Sequence, residues 1–186
     1  MLKIFQQLGR DLFISGLISS HGGNMSIIDG ERVHITRSGS MLGRLIDGDV
    51  VVTGLNVDDG DFKLASSELV VHRAVYRHTD ARAILHAHPP YAVALSLLTD
   101  EDIVPVDSEG AYLLKRVPVI SAKETIGSQE VAEKLPQALS RAPISVLKGH
   151  GSFAVGSTLA EALQYTTALE LAAKIIWLSS RHGGRR

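Results

Sequence analysis

Residues 86–90 read His-Ala-His-Pro-Pro, at the end of the apolar run Ala-Arg-Ala-Ile-Leu (81–85). In an extended strand, side chains two residues apart project from the same face, so His86 and His88 are set to grip one object together. A third imidazole, His150, lies between Gly149 and Gly151 at the bend between two apolar runs, where glycine lets the backbone turn sharply. Three imidazoles that leave one position open are a zinc arrangement suited to catalysis. Taken alone, the His86-x-His88 pair reads as readily as a structural feature, and it is the third histidine that favours metal. His21, His34, His72, His78 and His182 read as isolated loop, strand or helix residues without a catalytic role.

A carboxylate is the next requirement for proton chemistry, and Glu68 follows Ser66-Ser67 at the expected start of a helix. The helix macrodipole by itself favours an acid there, so placement alone does not distinguish a general acid/base from a stabilising charge. Three short segments have the composition of an anion cradle: Gly-Gly-Asn (22–24), Thr-Arg-Ser-Gly (36–39) and Ser-Ser (66–67). Glycines expose backbone N–H groups, Asn24, Ser38, Ser66 and Ser67 add side-chain donors, and a helix N-terminus stands behind the last two. Each segment also makes an ordinary turn.

These groups need a scaffold. The chain has 186 residues, 45% hydrophobic and 21% charged, which fits one domain spanning 1–186 with a sizeable core. A net charge of −1 without long runs of one sign argues against a nucleic-acid surface. The absence of cysteine removes disulfides and thiolate chemistry, leaving His, Asp and Glu as strong metal ligands. Lys3, Gln6, Gln7, Arg10 and Asp11 interrupt the first twenty residues, so no signal peptide or membrane span is expected, and the expected setting is cytoplasmic.

Apolar residues at helical spacing predict an opening helix ending near Ser19, followed by a hairpin around Asp29-Gly30 and a further strand closing the stretch 37–53. Ser66 is the expected cap of a helix over 67–78, which gives way to a strand over 81–88. A helix over 91–98 places Pro90 in its first turn, where a missing N–H costs nothing. Strand 116–121, a Ser128-capped helix over 128–139 that Pro136 shortens or kinks, paired strands within 143–156 and a long helix over 158–181 complete the reading, with the tail His-Gly-Gly-Arg-Arg frayed. Strands and helices intermix without strict βαβ alternation. The expected fold is a three-layer α/β/α sandwich around a mixed, mostly antiparallel sheet.

The order of the segments GGNMS, ITRSG, SSE, HAH and KGHG, from about Leu8 to Leu178, resembles the class II aldolase and adducin N-terminal family. The resemblance implies zinc, one ion per subunit, held by His86, His88 and His150. It implies Glu68 as the catalytic acid/base, and a substrate phosphate bound at Asn24, Ser38, Gly39, Ser66 and Ser67. It further implies aldol cleavage of a ketose 1-phosphate such as L-fuculose 1-phosphate, giving dihydroxyacetone phosphate and a small aldehyde, with the charge left on carbon held as a metal-stabilised enediolate. Dehydratases of methylthioribulose 1-phosphate, decarboxylases of phosphorylated sugar acids and pentulose-phosphate 4-epimerases share the scaffold, the epimerases typically with Asp where this chain has Glu68. Adducin-like domains lack the metal histidines that this chain keeps. Relatives in the family form homotetramers with the site at the subunit boundary, some lending a tyrosine across it. Tyr112, within 106–116, is the corresponding candidate here.

Overall fold

Five consecutive residues, Ala83–Ala87, are buried although they form a single strand, β4, so both of its faces must be covered. In the computed structural model, which describes residues 1–180, β4 lies at the centre of a seven-stranded sheet. The strands are β1 (Asn24–Asp29), β2 (Arg32–Thr36), β3 (Val50–Gly54), β4 (Ala83–Ala87), β5 (Val119–Ile120), β6 (Ile144–Leu147) and β7 (Gly151–Gly156). Their spatial order is β3-β2-β1-β4-β7-β6-β5, and every pairing is antiparallel except β5 with β6.

Side-chain alternation sorts the core into two halves. Met25, Leu85 and Ala154 face α1 (Leu2–Ile14), α3 (Pro90–Leu98) and α6 (Leu159–Ser180), where Phe5, Leu12 and Leu169 are completely buried. Ile35, Ile84 and Phe153 face α2 (Leu69–His78) and α5 (Gln129–Leu139), which contribute Val75 and Leu135. Each of these side chains except Ala154 stabilises the fold by roughly 1.5–3 kcal/mol relative to exposure. The result is the three-layer sandwich with a mixed, mostly antiparallel sheet that the sequence predicts.

Several boundaries differ from the sequence reading. Helix α1 stops at Ile14 rather than near Ser19, because Gly16 takes φ +68° and the N–H groups of Gly16 and Leu17 return to the carbonyls of Phe13 and Leu12. The hairpin turns on Gly30-Glu31, one residue later than Asp29-Gly30, since Asp29 pairs with Arg32 and Gly30 takes φ +56°. Strand 116–121 contracts to β5, because Pro118 has no N–H to give a ladder and Val117 instead bridges Ile103. Helix α5 is capped by Ser128, whose hydroxyl accepts from the Val131 N–H, and it runs on past Pro136 to Leu139. A short helix that the sequence reading did not assign, α4 (Ser108–Leu113), is capped by Asp107 through the Gly110 N–H. The expected fraying of the tail and His182 lie outside the described residues.

Candidate metal centre and active site

His86 is the last but one residue of β4, and it pairs with Asn24 of β1 on one side and Phe153 of β7 on the other. Because Asn24, Ser26, Ile35, Ile84 and His86 alternate in phase, they share the face toward α2, and His88 follows in the same phase one residue past the strand. His150 enters from the turn between β6 and β7. One ring nitrogen from each of the three histidines lies within 4.8 Å of the others.

Two glycines of the segments singled out from sequence also let the backbone come close to His88. A Cβ on Gly151 would stand 2.6 Å from His88 Cδ2, and one on Gly22 would stand 2.8 Å from His88 Nδ1. Both backbone segments therefore approach the His88 imidazole more closely than any other residue permits.

These side chains fit a divalent metal. Tetrahedral bonds of about 2.0–2.1 Å place ligand nitrogens roughly 3.3 Å apart, and the Nε2 atoms of His86 and His88 stand 3.0 Å apart. The Nδ1–H of His86 donates to the Ser152 carbonyl at 3.0 Å, which fixes the tautomer and turns Nε2 toward the cluster. Burial first, and then the proximity of the other imidazoles, lowers the pKa of His86 well below its usual value and that of His88 to about 4. Burial lowers that of His150 as well. The lone pairs are thus free of protons at neutral pH, as metal ligation requires. His150 Nδ1 and Glu68 Oε2 are buried without a hydrogen-bond partner.

Glu68 lies in the turn before α2, which begins two residues later than predicted, and Ser66 Oγ accepts from the Glu68 N–H at 3.3 Å. Its carboxylate accepts from the Gly127 N–H, yet burial dominates and raises its pKa to about 7. Gly127 takes φ +56° and packs against the Ser67 carbonyl, so the 121–128 segment closes over this turn.

Glu68 and the three histidines line one cavity of about 220 Å³. The phosphate candidates Asn24, Ser38, Gly39, Ser66 and Ser67 line it too. They meet because an antiparallel bridge joins Arg37 to Ala65, with Ser38 N–H bonded to Leu64 O and Ser66 N–H to Thr36 O. Asn24 is buried with its Oδ1 unpartnered.

Arg37, His21 and Ile126 also line the cavity, although no role was assigned to them from sequence. Arg37 sits inside the segment already singled out, and the strand alternation that places Ile35 was the signal that could have found it. His72, read as an isolated helix residue, is fully buried, bonded through Nδ1 to Ser26 Oγ and set edge-on to Phe153. Tyr112 lies on α4, 82% exposed, and does not line the cavity. A larger groove of about 600 Å³ opens at the other end of β4, between Ala81 and Gly156, and holds none of the candidate residues.

Residues 4–177 match the family described as Class II Aldolase and Adducin N-terminal domain. The crystal structure of L-fuculose-1-phosphate aldolase from Thermus thermophilus superposes with a TM-score of 0.92 at 40% identity, covering 98% of this chain and 95% of that one. The L-fuculose phosphate aldolase of Methanococcus maripaludis strain C7 is 34% identical over 158 residues, 84% of this chain and 85% of the relative. The 3-oxo-tetronate 4-phosphate decarboxylase of Haemophilus influenzae is 32% identical over 183 residues, 94% of this chain and 86% of the relative. With a match that runs over nearly its whole length, the chain belongs to the class II aldolase and adducin N-terminal domain family.

Proposed function

We propose that this protein is a metal-dependent aldolase that cleaves a ketose 1-phosphate, L-fuculose 1-phosphate or a close analogue, into dihydroxyacetone phosphate and a small aldehyde. The observation that carries this reading is the convergence in one cavity of three unprotonated imidazoles, a carboxylate poised near pH 7 and a donor-rich cradle. The names of the aldolase relatives support the same reaction.

His86, His88 and His150 would hold the metal, which we take to be zinc from the all-imidazole donor set. When bound, such an ion supplies Lewis-acid polarisation of the substrate carbonyl. The cradle of Asn24, Ser38, Gly39, Ser66 and Ser67 binds the phosphate and fixes the three-carbon end, so binding energy becomes orientation. Cleavage breaks the C3–C4 bond, the C4 hydroxyl gives its proton to solvent water, and C3 must gain a proton. Glu68 supplies it. A carboxyl whose pKa burial has raised to about 7 is available both as acid in cleavage and as base in condensation.

The decarboxylase relative raises a second reading, in which the same site releases carbon dioxide from a phosphorylated 3-oxo acid. Incubating the metal-loaded protein with L-fuculose 1-phosphate and, separately, with 3-oxo-tetronate 4-phosphate distinguishes them. The aldolase reading expects dihydroxyacetone phosphate from the first, suppressed by EDTA. Carbon dioxide from the second with no product from the first would replace it. The homotetramer with sites at subunit boundaries belongs to the same proposal, and sedimentation of the protein at a monomer mass would remove it.

A further inference from the structure

Among the described residues Arg37, like Arg10, Arg44 and Arg82, is without the side-chain partners that anchor other arginines, and of these four it is the one that lines the site cavity. Arg32 pairs with Asp59, Arg73 with Asp58, and Arg116 with Asp102, while Arg77 binds Asn56 Oδ1 and the Leu55 carbonyl. The Arg37 guanidinium makes no ion pair or hydrogen bond among the described residues. Its backbone, in contrast, is held firmly. The Arg37 N–H bonds to Asp49 O at 2.8 Å, its carbonyl accepts from the Ser40 N–H and Ser40 Oγ, and the residue bridges Ala65. A fixed root with an unengaged head thus stands on the wall of the site cavity.

The charge balance of the cavity says which ligand. Its walls carry one carboxylate, Glu68, three imidazoles, the exposed His21, and a single guanidinium, Arg37. The cradle beside Arg37 is built from neutral donors: the hydroxyls of Ser38, Ser66 and Ser67 and the backbone around Gly39. Neutral donors orient a phosphate but offset little of its double negative charge. A guanidinium does both, because its planar fork makes two parallel charge-assisted bonds to adjacent phosphate oxygens.

Resting on the phosphosugar reading above, we infer that Arg37 is the charge-selecting residue of this site, closing on the phosphomonoester of the substrate and discriminating against uncharged sugars. The phosphate is unchanged through the reaction, so this contact acts equally on substrate and transition state and belongs in KM rather than kcat. The side chain is exposed, so its replacement is expected to leave the fold intact.

Titration of the metal-loaded protein with inorganic phosphate, followed by calorimetry, tests this in wild type, Arg37→Gln and Arg37→Lys. The same proteins are assayed with L-fuculose 1-phosphate. Arg37→Gln is expected to weaken phosphate binding at least tenfold and to raise KM by a similar factor, with kcat falling less than threefold. Arg37→Lys restores charge without the fork and recovers part of the binding, leaving it weaker than wild type. Phosphate affinity in Arg37→Gln within twofold of wild type overturns the inference while the aldolase reading stands. Wild-type protein that binds no phosphate overturns both together.

Discussion

The imidazole of His86 lies flat on the ring of Phe153, centroids 4.1 Å apart and planes 19° from parallel, while its Nδ1–H donates to the carbonyl of Ser152. Stacking and hydrogen bond together set the direction of Nε2. Replacing Phe153 by Leu removes the flat support while keeping an apolar side chain in the core. We expect a stability loss of about 1–3 kcal/mol from the smaller side chain and metal affinity lowered roughly tenfold through looser ligand orientation. Chelator competition measures the affinity. Affinity equal to wild type would reduce Phe153 to a packing residue.

Metal removal should lower stability as well as activity. An ion that binds only the folded chain adds stability that grows with its concentration, about 2.7 kcal/mol at a hundred times the dissociation constant. Thermal unfolding of wild type should therefore shift upward with added zinc. The triple variant His86→Ala, His88→Ala, His150→Ala should show no shift and no turnover. A zinc-dependent melting temperature in that variant would place the metal elsewhere.

Glu68 gives a pH signature in metal-free protein. Its folded pKa, about 7, lies above the ordinary 4.5, so the native chain keeps a proton that the unfolded chain releases. The associated stability is complete below pH about 4.5 and is lost as pH rises through 7, amounting to about 3 kcal/mol at 1.36 kcal/mol per unit. Glu68→Gln lacks this loss. Chemical denaturation of the two metal-free proteins between pH 5 and 8 should show wild type falling relative to the variant. The lowered pKa values of His86, His88 and His150 act in the opposite sense, with stability lost as pH falls below the ordinary 6.5, and they cancel to first order in the comparison. Parallel curves would contradict the buried, proton-holding carboxyl.

The cradle predicts a substrate-dependent defect. Ser38→Ala removes one hydroxyl donor, worth about 1 kcal/mol as a neutral hydrogen bond and more against a charged group. KM for a phosphorylated ketose should rise roughly fivefold or more, while condensation with different aldehydes keeps their relative rates. An unchanged KM would place the phosphate outside the cradle.

Much of this architecture is legible because its determinants are local. The buried run of β4 carries its own signature, Ser128 announces α5 through a cap three residues from its partner, and Gly149 and Gly151 mark the turn that delivers His150. What local pattern does not reveal depends on contacts made at a distance. Helix α4 has six residues and rests on α6, where Gly110 lets Ala172 approach, so periodicity alone could not define it. The end of α1 is set by a left-handed Gly16 that composition does not distinguish from a helical glycine. The place of Arg37 in the cavity depends on a bridge to Ala65, 28 residues along the chain. Likewise, His86 meets the turn holding His150 only through the pairing of β4 with β7.

The central claim is that Glu68 moves a proton at C3 of a phosphorylated three-carbon unit beside a three-histidine metal site. The most direct measurement is the exchange of dihydroxyacetone phosphate protons with solvent in D2O, followed by NMR, in zinc-loaded wild type and Glu68→Gln. The account predicts that wild type exchanges one of the two C3 protons, that EDTA stops it, and that Glu68→Gln slows it by about 10²–10⁴-fold. Exchange at the wild-type rate in Glu68→Gln, or none in zinc-loaded wild type, would contradict it.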